Sequence, residues 1–137
     1  MVIRFADKNE YPAVLGFLEA CNYSGGICEG DRVVIAFDER IIGAVRICSE
    51  NGETVLRGMQ VEPAWRRKSI GLLILKFLAH HLNMDGCYCL PYKHLKGFYA
   101  SIGFEEVSED KAPEFLAQRL NSYLNRGLQV MIMQIAV

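Results

Sequence analysis

Residues 55–75 read VLRGMQVEPAWRRKSIGLLIL, and three patterns follow one another within them. The apolar stretch up to Val61 has the composition of a strand, which Pro63 ends. Arg66, Arg67 and Lys68 then place three positive charges in succession. Ser69, Ile70 and Gly71 lead into GLLILKFLAHHLN, apolar enough for a helix packed on a sheet. A strand, a short basic loop and a helix start together form an anion cradle. The first backbone N–H groups of a helix lack internal partners and carry the positive end of its dipole. Small residues at 69 and 71 let a ligand approach that backbone. An exposed basic loop that merely begins a helix has the same composition, so the segment alone leaves both readings open. It is not a Walker loop, because no Gly-Lys-Ser/Thr triplet is present, and it is not a G-x-G-x-x-G dinucleotide fingerprint.

Working outward, the N-terminal side reads as a short strand at 2–5, a helix over about 8–21 and a loop at 22–31. Asp7 and Glu10 have capping-box spacing, and Tyr11, Val14, Leu15, Leu18 and Cys21 share one helical face. Strands at 32–37, 41–48 and 53–61 follow as a meander, with Asn51-Gly52 as the strongest hairpin signal. On the C-terminal side, a short strand is expected at 87–90 and a helix near 94–101 with Gly103 as its cap. A strand at 104–107, a helix at 113–125 that Pro113 can start, and a strand at 128–135 complete the chain. The order predicts a mixed α/β fold with a central, mostly antiparallel sheet flanked by helices.

Composition narrows the possibilities. The 137 residues suit a single domain spanning 1–137, with 51% hydrophobic and 23% charged residues. Acidic residues number 16 and basic ones 15, so no global field attracts nucleic acid or an anionic membrane. No apolar run approaches a membrane span. The opening MVIRFADKNE is charged, and the five cysteines are odd in number. Both features read as reduced thiols in a cytoplasmic protein. Cys87 and Cys89 lack the second pair that a zinc site needs, so no metal is expected.

With those residues in hand, the 55–75 segment resembles motif A of the GCN5-related N-acetyltransferase (GNAT) superfamily. There, Gln/Arg-x-x-Gly-x-Gly/Ala cradles coenzyme A. Arg66 to Gly71 matches except that Ser69 stands where glycine is usual. Further on, KGFYASIGFEEV at residues 96–107 resembles motif B, with Phe98-Tyr99 and Gly103-Phe104 at the usual separation. The order of elements matches over nearly the whole chain. The C-terminal stretch from Gly103 to Arg126 resembles amino-acid acetyltransferases of the N-acetylglutamate type.

The resemblance implies a GNAT-like sheet splayed between its fourth and fifth strands, and acetyl-CoA as the cofactor. Backbone groups of Met59, Gln60 and Val61 would pair with the acyl-pantetheine arm. The N–H groups of Arg67, Lys68, Ser69, Ile70, Gly71 and Leu72 would bind the pyrophosphate, aided by the Arg66 side chain. Tyr92 stands where many members have an asparagine near the cofactor. Tyr99 matches the tyrosine that protonates the departing thiolate, and a phenol has suitable basicity. Adjacent helical positions point about 100° apart, so Phe98 can be core while Tyr99 lines the site. Glu62 is the nearest candidate base for the attacking amine, with His94 second. The implied reaction is transfer of acetyl from acetyl-CoA to a primary amine of a small molecule, such as an amino acid, or of a peptide. A catalytically silent acyl-CoA-binding module is the alternative. The apolar final strand suggests a homodimer.

Overall fold

The computed structural model describes residues 1–137. Two compact units divide the chain, Met1–Asn83 and Met84–Val137.

In the first unit, β1 (Val2–Phe5), β2 (Arg32–Phe37), β3 (Ile41–Glu50) and β4 (Glu53–Val61) pair antiparallel in sequence order. The β3–β4 hairpin closes at Glu50 opposite Glu53. Asn51 and Gly52 both have positive φ, 50° and 79°, as the two-residue turn that matches strand twist requires. A 3₁₀ turn at Lys8–Glu10 leads into α1 (Tyr11–Ala20), so the helix expected over 8–21 begins as a tighter turn. The Glu10 carboxylate accepts the Asp7 N–H at 2.8 Å and forms a two-pronged contact with Arg4 at 2.7 and 2.9 Å.

α1 buries Val14 and Leu18 against Val33, Ile35 and Ala44. α2 (Ile70–His81) buries Ile70, Ile74, Leu75 and Leu78. It packs on β3 at Gly43, where a Cβ would stand 3.2 Å from Ile74 and 3.3 Å from Ile70. Successive strand residues face opposite ways, so Gly43 and Ala44 put α2 and α1 on opposite faces of the sheet. Ile74 is fully buried; trimming such a side chain to alanine costs about 2–5 kcal/mol.

In the second unit, β5 (Tyr88–Cys89) and β6 (Phe104–Val107) flank β7 (Ile132–Ile135), and both pairings are antiparallel. The last strand is therefore interior to this unit. Val130, Met131, Ile132 and Met133 are all buried. β7 is shorter than the 128–135 expected, yet pairing continues irregularly beyond it. Tyr92 bridges Val130, the Lys93 N–H donates to the Gln129 carbonyl at 2.8 Å, and the Met131 N–H donates to the Pro91 carbonyl at 3.1 Å. Pro91 has no N–H to give back, which limits β5 to two residues. α3 (Lys96–Ala100) and α4 (Glu114–Asn125) complete the unit. No helix is long and apolar enough to cross a membrane.

Candidate active site

The site begins where β4 loses register with β3. Ala44 pairs with Gln60 and Arg46 with Arg57. One residue of β3, Val45, thus faces two of β4, Gly58 and Met59. That is a β-bulge, and Gly58 takes the left-handed conformation at φ 67° that such a bulge favours. A single glycine inside a strand pattern is a signal for a bulge, but motif matching alone passes over Gly58. After the bulge, Gln60 and Val61 resume pairing, and the Glu62 N–H donates to the Ile42 carbonyl at 2.8 Å.

Pro63–Trp65 forms a 3₁₀ turn, and the chain then enters the basic loop. Arg67 and Ser69 both have left-handed backbone, φ 68° and 62°. The helical angles that let serine stand for glycine are thus left-handed ones, with ψ 19° at Ser69. The Arg67, Lys68, Ser69, Ile70, Gly71 and Leu72 N–H groups find no acceptor within the chain. The next one, Leu73, donates to the Ser69 carbonyl at 3.0 Å. Consecutive free donors curved by left-handed residues form an anion-binding concavity, and the α2 dipole adds its positive end.

The loop's cations are arranged unequally. Arg66 turns back, its Nε donating to the Val61 carbonyl at 3.1 Å. Lys68 lies over the Trp65 ring at 5.3 Å. Arg67 makes neither kind of contact, and residues 66 to 69 are all exposed. Loop and helix start together carry the donors, the dipole and the charge that a pyrophosphate needs, so the residues fit the phosphate part of coenzyme A.

Comparison with known proteins agrees. The sequence model of the acetyltransferase (GNAT) domain matches residues 29–106. The chain belongs to the GNAT acetyltransferase family. An uncharacterized N-acetyltransferase, YitI of Bacillus subtilis (strain 168), is 26% identical over 103 aligned residues, covering 67% of this chain and 69% of that one. Rv2747 from Mycobacterium tuberculosis, solved in complex with CoA, superposes with a TM-score of 0.68 at 18% identity, over 100% of this chain and 99% of that one. The N-acetylglutamate synthase from Neisseria gonorrhoeae, solved with coenzyme A and N-acetyl-glutamate, gives 0.64 at 16% identity. It covers 98% of this chain and 35% of that one. These likenesses establish the GNAT fold. Acetyl-CoA is the cosubstrate of this family, and this acetyltransferase is an acetyl-CoA-dependent acyltransferase.

The remaining expected site residues have the following surroundings. Glu62 takes a two-pronged contact from Arg40, at 2.6 and 3.2 Å. Both line a cleft of about 630 Å³ with Phe17 and Cys21 of the α1 side and Phe37, Ile41 and Pro63. Tyr99 is buried and Phe98 only half-buried, the reverse of the order expected. The Tyr99 ring stands edge-on to Phe98 and to Phe104, at 5.0 and 5.9 Å. Burial, with a smaller effect from Cys89, raises its phenol well above the ordinary tyrosine value. It therefore keeps its proton through the neutral range. Tyr92 is exposed and stacks on His94 at 5.8 Å.

Sequence reading missed a buried ionic group. Arg46, 2% exposed, lies against Asp31, 4% exposed, with its Nε 2.8 Å from Oδ2. Arg46 Nη1 donates to the Tyr23 hydroxyl at 2.6 Å. Burial, the largest single influence, opposes the guanidinium charge, but the hydrogen bond to Asp31 together with Cys48 and Tyr23 outweighs it and the pKa rises. Cys48 beside this group is pushed up to about 12, chiefly by burial.

Proposed function

We propose that the chain, acting over 1–137 as one acetyltransferase domain, moves the acetyl group of acetyl-CoA to a primary amine of a small molecule, with a free amino acid as the first class to examine. The row of six unpartnered N–H donors from Arg67 to Leu72 carries the reading. Those of residues 67 to 69 lie on exposed backbone, where a pyrophosphate would replace several bound waters at once. The amino-acid class rests on the C-terminal resemblance to acetyltransferases of the N-acetylglutamate type. The similarity in fold to an N-acetylglutamate synthase points the same way.

In this reading, Met59, Gln60 and Val61 offer backbone groups to the pantetheine arm, the bulge at Gly58 freeing Met59 from its strand partner. An N–H near Val61 polarises the thioester carbonyl. The amine, deprotonated with the help of Glu62 or water, forms the new N–C bond. The C–S bond breaks, and Tyr99 gives its proton to the departing thiolate. Burial keeps the phenol protonated but also makes it a weaker acid, so the proton passes only as the more basic thiolate forms. Arg40 holds Glu62 at the end of β4, which fixes its position but also competes for its lone pairs. Tyr92 is proposed to line the channel of the pantetheine or the acceptor.

Calorimetry with CoA tests the cradle. Arg66→Ala combined with Gly71→Asp should abolish binding while the circular dichroism spectrum stays unchanged; unchanged affinity removes the assignment. An acetylation screen over amino acids, polyamines, aminoglycosides and peptide N-termini then finds the acceptor. With it, Tyr99→Phe should lower kcat by about 10²–10⁴-fold, the usual weight of a general acid, and leave CoA affinity within a few-fold. An unchanged kcat refutes the acid role.

A further inference from the structure

Tyr23 directly follows Asn22, where the chain reverses after α1 with φ 65°. Its N–H returns to the Leu18 carbonyl at 3.0 Å, so the helix end fixes where its ring begins. The ring lies between two glycines. A Cβ at Gly58 would stand 2.9 to 3.2 Å from ring atoms, and one at Gly25 would collide with the same phenol. The hydroxyl is held by Arg46, and Arg46 by Asp31. Asp31 is itself fixed three times over. Its Oδ2 accepts the Cys28 N–H at 2.9 Å, its carbonyl accepts the Tyr11 hydroxyl at 2.6 Å, and its N–H donates to the Cys28 carbonyl at 3.0 Å.

So deep an ion pair is a poor source of stability, since apolar side chains of equal volume often do as well. Apolar side chains would not, however, hold a phenol at one point by a directed hydrogen bond. What the group secures is the place of the Tyr23 ring, directly over Gly58, one residue before Met59.

We infer that Tyr23, anchored by Arg46 and Asp31, sets the size of acyl group the enzyme accepts. This rests on the proposed course of the acyl arm along Met59 to Val61. The ring closes the space above the bulge. An acetyl group ends short of it, whereas a longer acyl chain meets the ring, which Arg46 holds at its tip. The hydroxyl accepts from Arg46, which fixes the tip of the ring, and the residue acts through that ring as a specificity determinant.

Equilibrium binding tests this without knowledge of the acceptor. Acyl-free CoA, acetyl-CoA, butyryl-CoA and hexanoyl-CoA are titrated calorimetrically into the wild type, Tyr23→Phe and Tyr23→Ala. The wild type should bind acetyl-CoA at least about tenfold tighter than butyryl-CoA, the discrimination that one or two methylenes typically give in a closed pocket. Tyr23→Ala should erase that ratio while affinity for acyl-free CoA stays within twofold. Tyr23→Phe retains the ring and should retain the order of preference. Tyr23→Leu replaces Tyr23→Ala should the latter not fold, as judged by circular dichroism. A wild type without acyl discrimination, or a folded Tyr23→Ala with wild-type discrimination, overturns the inference and leaves the cradle standing. A wild type that binds no CoA at all overturns the cradle itself, and the inference with it.

Discussion

Replacing Ser69 by glycine should make the protein more stable, an unusual expectation for a residue in a binding loop. Ser69 occupies left-handed backbone at φ 62° and ψ 19°. For a residue with a Cβ, that conformation costs roughly 1–2 kcal/mol. Glycine escapes this cost but loses more freedom on folding, about 0.5–1 kcal/mol. The Ser69 side chain caps nothing and is exposed, so no other contact is lost. The balance is a gain of about 0.5–1 kcal/mol, or roughly 2–4 °C in Tm for a chain of this size. Ser69→Ala separates backbone from hydroxyl, because alanine keeps the strain; its Tm should stay within about 1–2 °C of wild type. Ser69→Val puts a β-branched residue in left-handed backbone and should melt below both. Thermal denaturation followed by circular dichroism measures all three. CoA affinity of Ser69→Gly should stay within a few-fold, because the N–H at position 69 is retained. A Tm of Ser69→Gly at or below wild type, or an equal rise in Ser69→Ala, would refute the strain argument.

Removing one member of the buried ion pair should be far more costly than removing both. Asp31→Ala strands Arg46 and should cost about 3–5 kcal/mol in urea unfolding, whereas Asp31→Leu with Arg46→Met should recover most of that loss; equal losses would contradict the pairing. Glu10 responds to acid. The Arg4 hydrogen bond first, then the Asp7 N–H, lower its carboxyl from 4.5 to about 2. A depressed carboxylate adds stability above its unfolded value and loses it as pH falls through the folded one. Glu10→Gln should therefore be less stable than wild type at neutral pH, with the gap closing between about pH 5 and pH 2; a gap independent of pH would show that Glu10 does not titrate in this way.

The sequence exposes what is local. The β3–β4 turn follows from Asn51-Gly52, and the basic loop at a helix start is visible from Arg66 to Gly71. Features that join distant positions are hidden. Arg46 sits in IIGAVRICSE as though facing solvent, and nothing in its spacing points to Asp31 across the intervening hairpin. The left-handed residues are hidden for another reason: Arg67 and Ser69 are not glycine, so composition gives no sign of positive φ. Tyr99 shows the limit of helical geometry. An angle of about 100° separates it from Phe98, but only the surrounding packing decides which of the two is buried. Gly58 is legible as a bulge because a lone glycine interrupts an otherwise apolar strand pattern.

The anchoring of Asn22–Asp31 bears on how a substrate arrives. Tyr23 and Asp31 tie this segment to α1 and β3, and Lys8 Nζ donates to the Glu29 carbonyl from outside. Ordering a backbone residue costs about 1–2 kcal/mol of entropy, and here that cost falls on folding. With Tyr23 over the proposed course of the acyl arm, an acyl-CoA meets this segment without a disorder-to-order step. Association should follow a single exponential whose rate rises linearly with acetyl-CoA concentration, with no plateau from a slow closing of the loop.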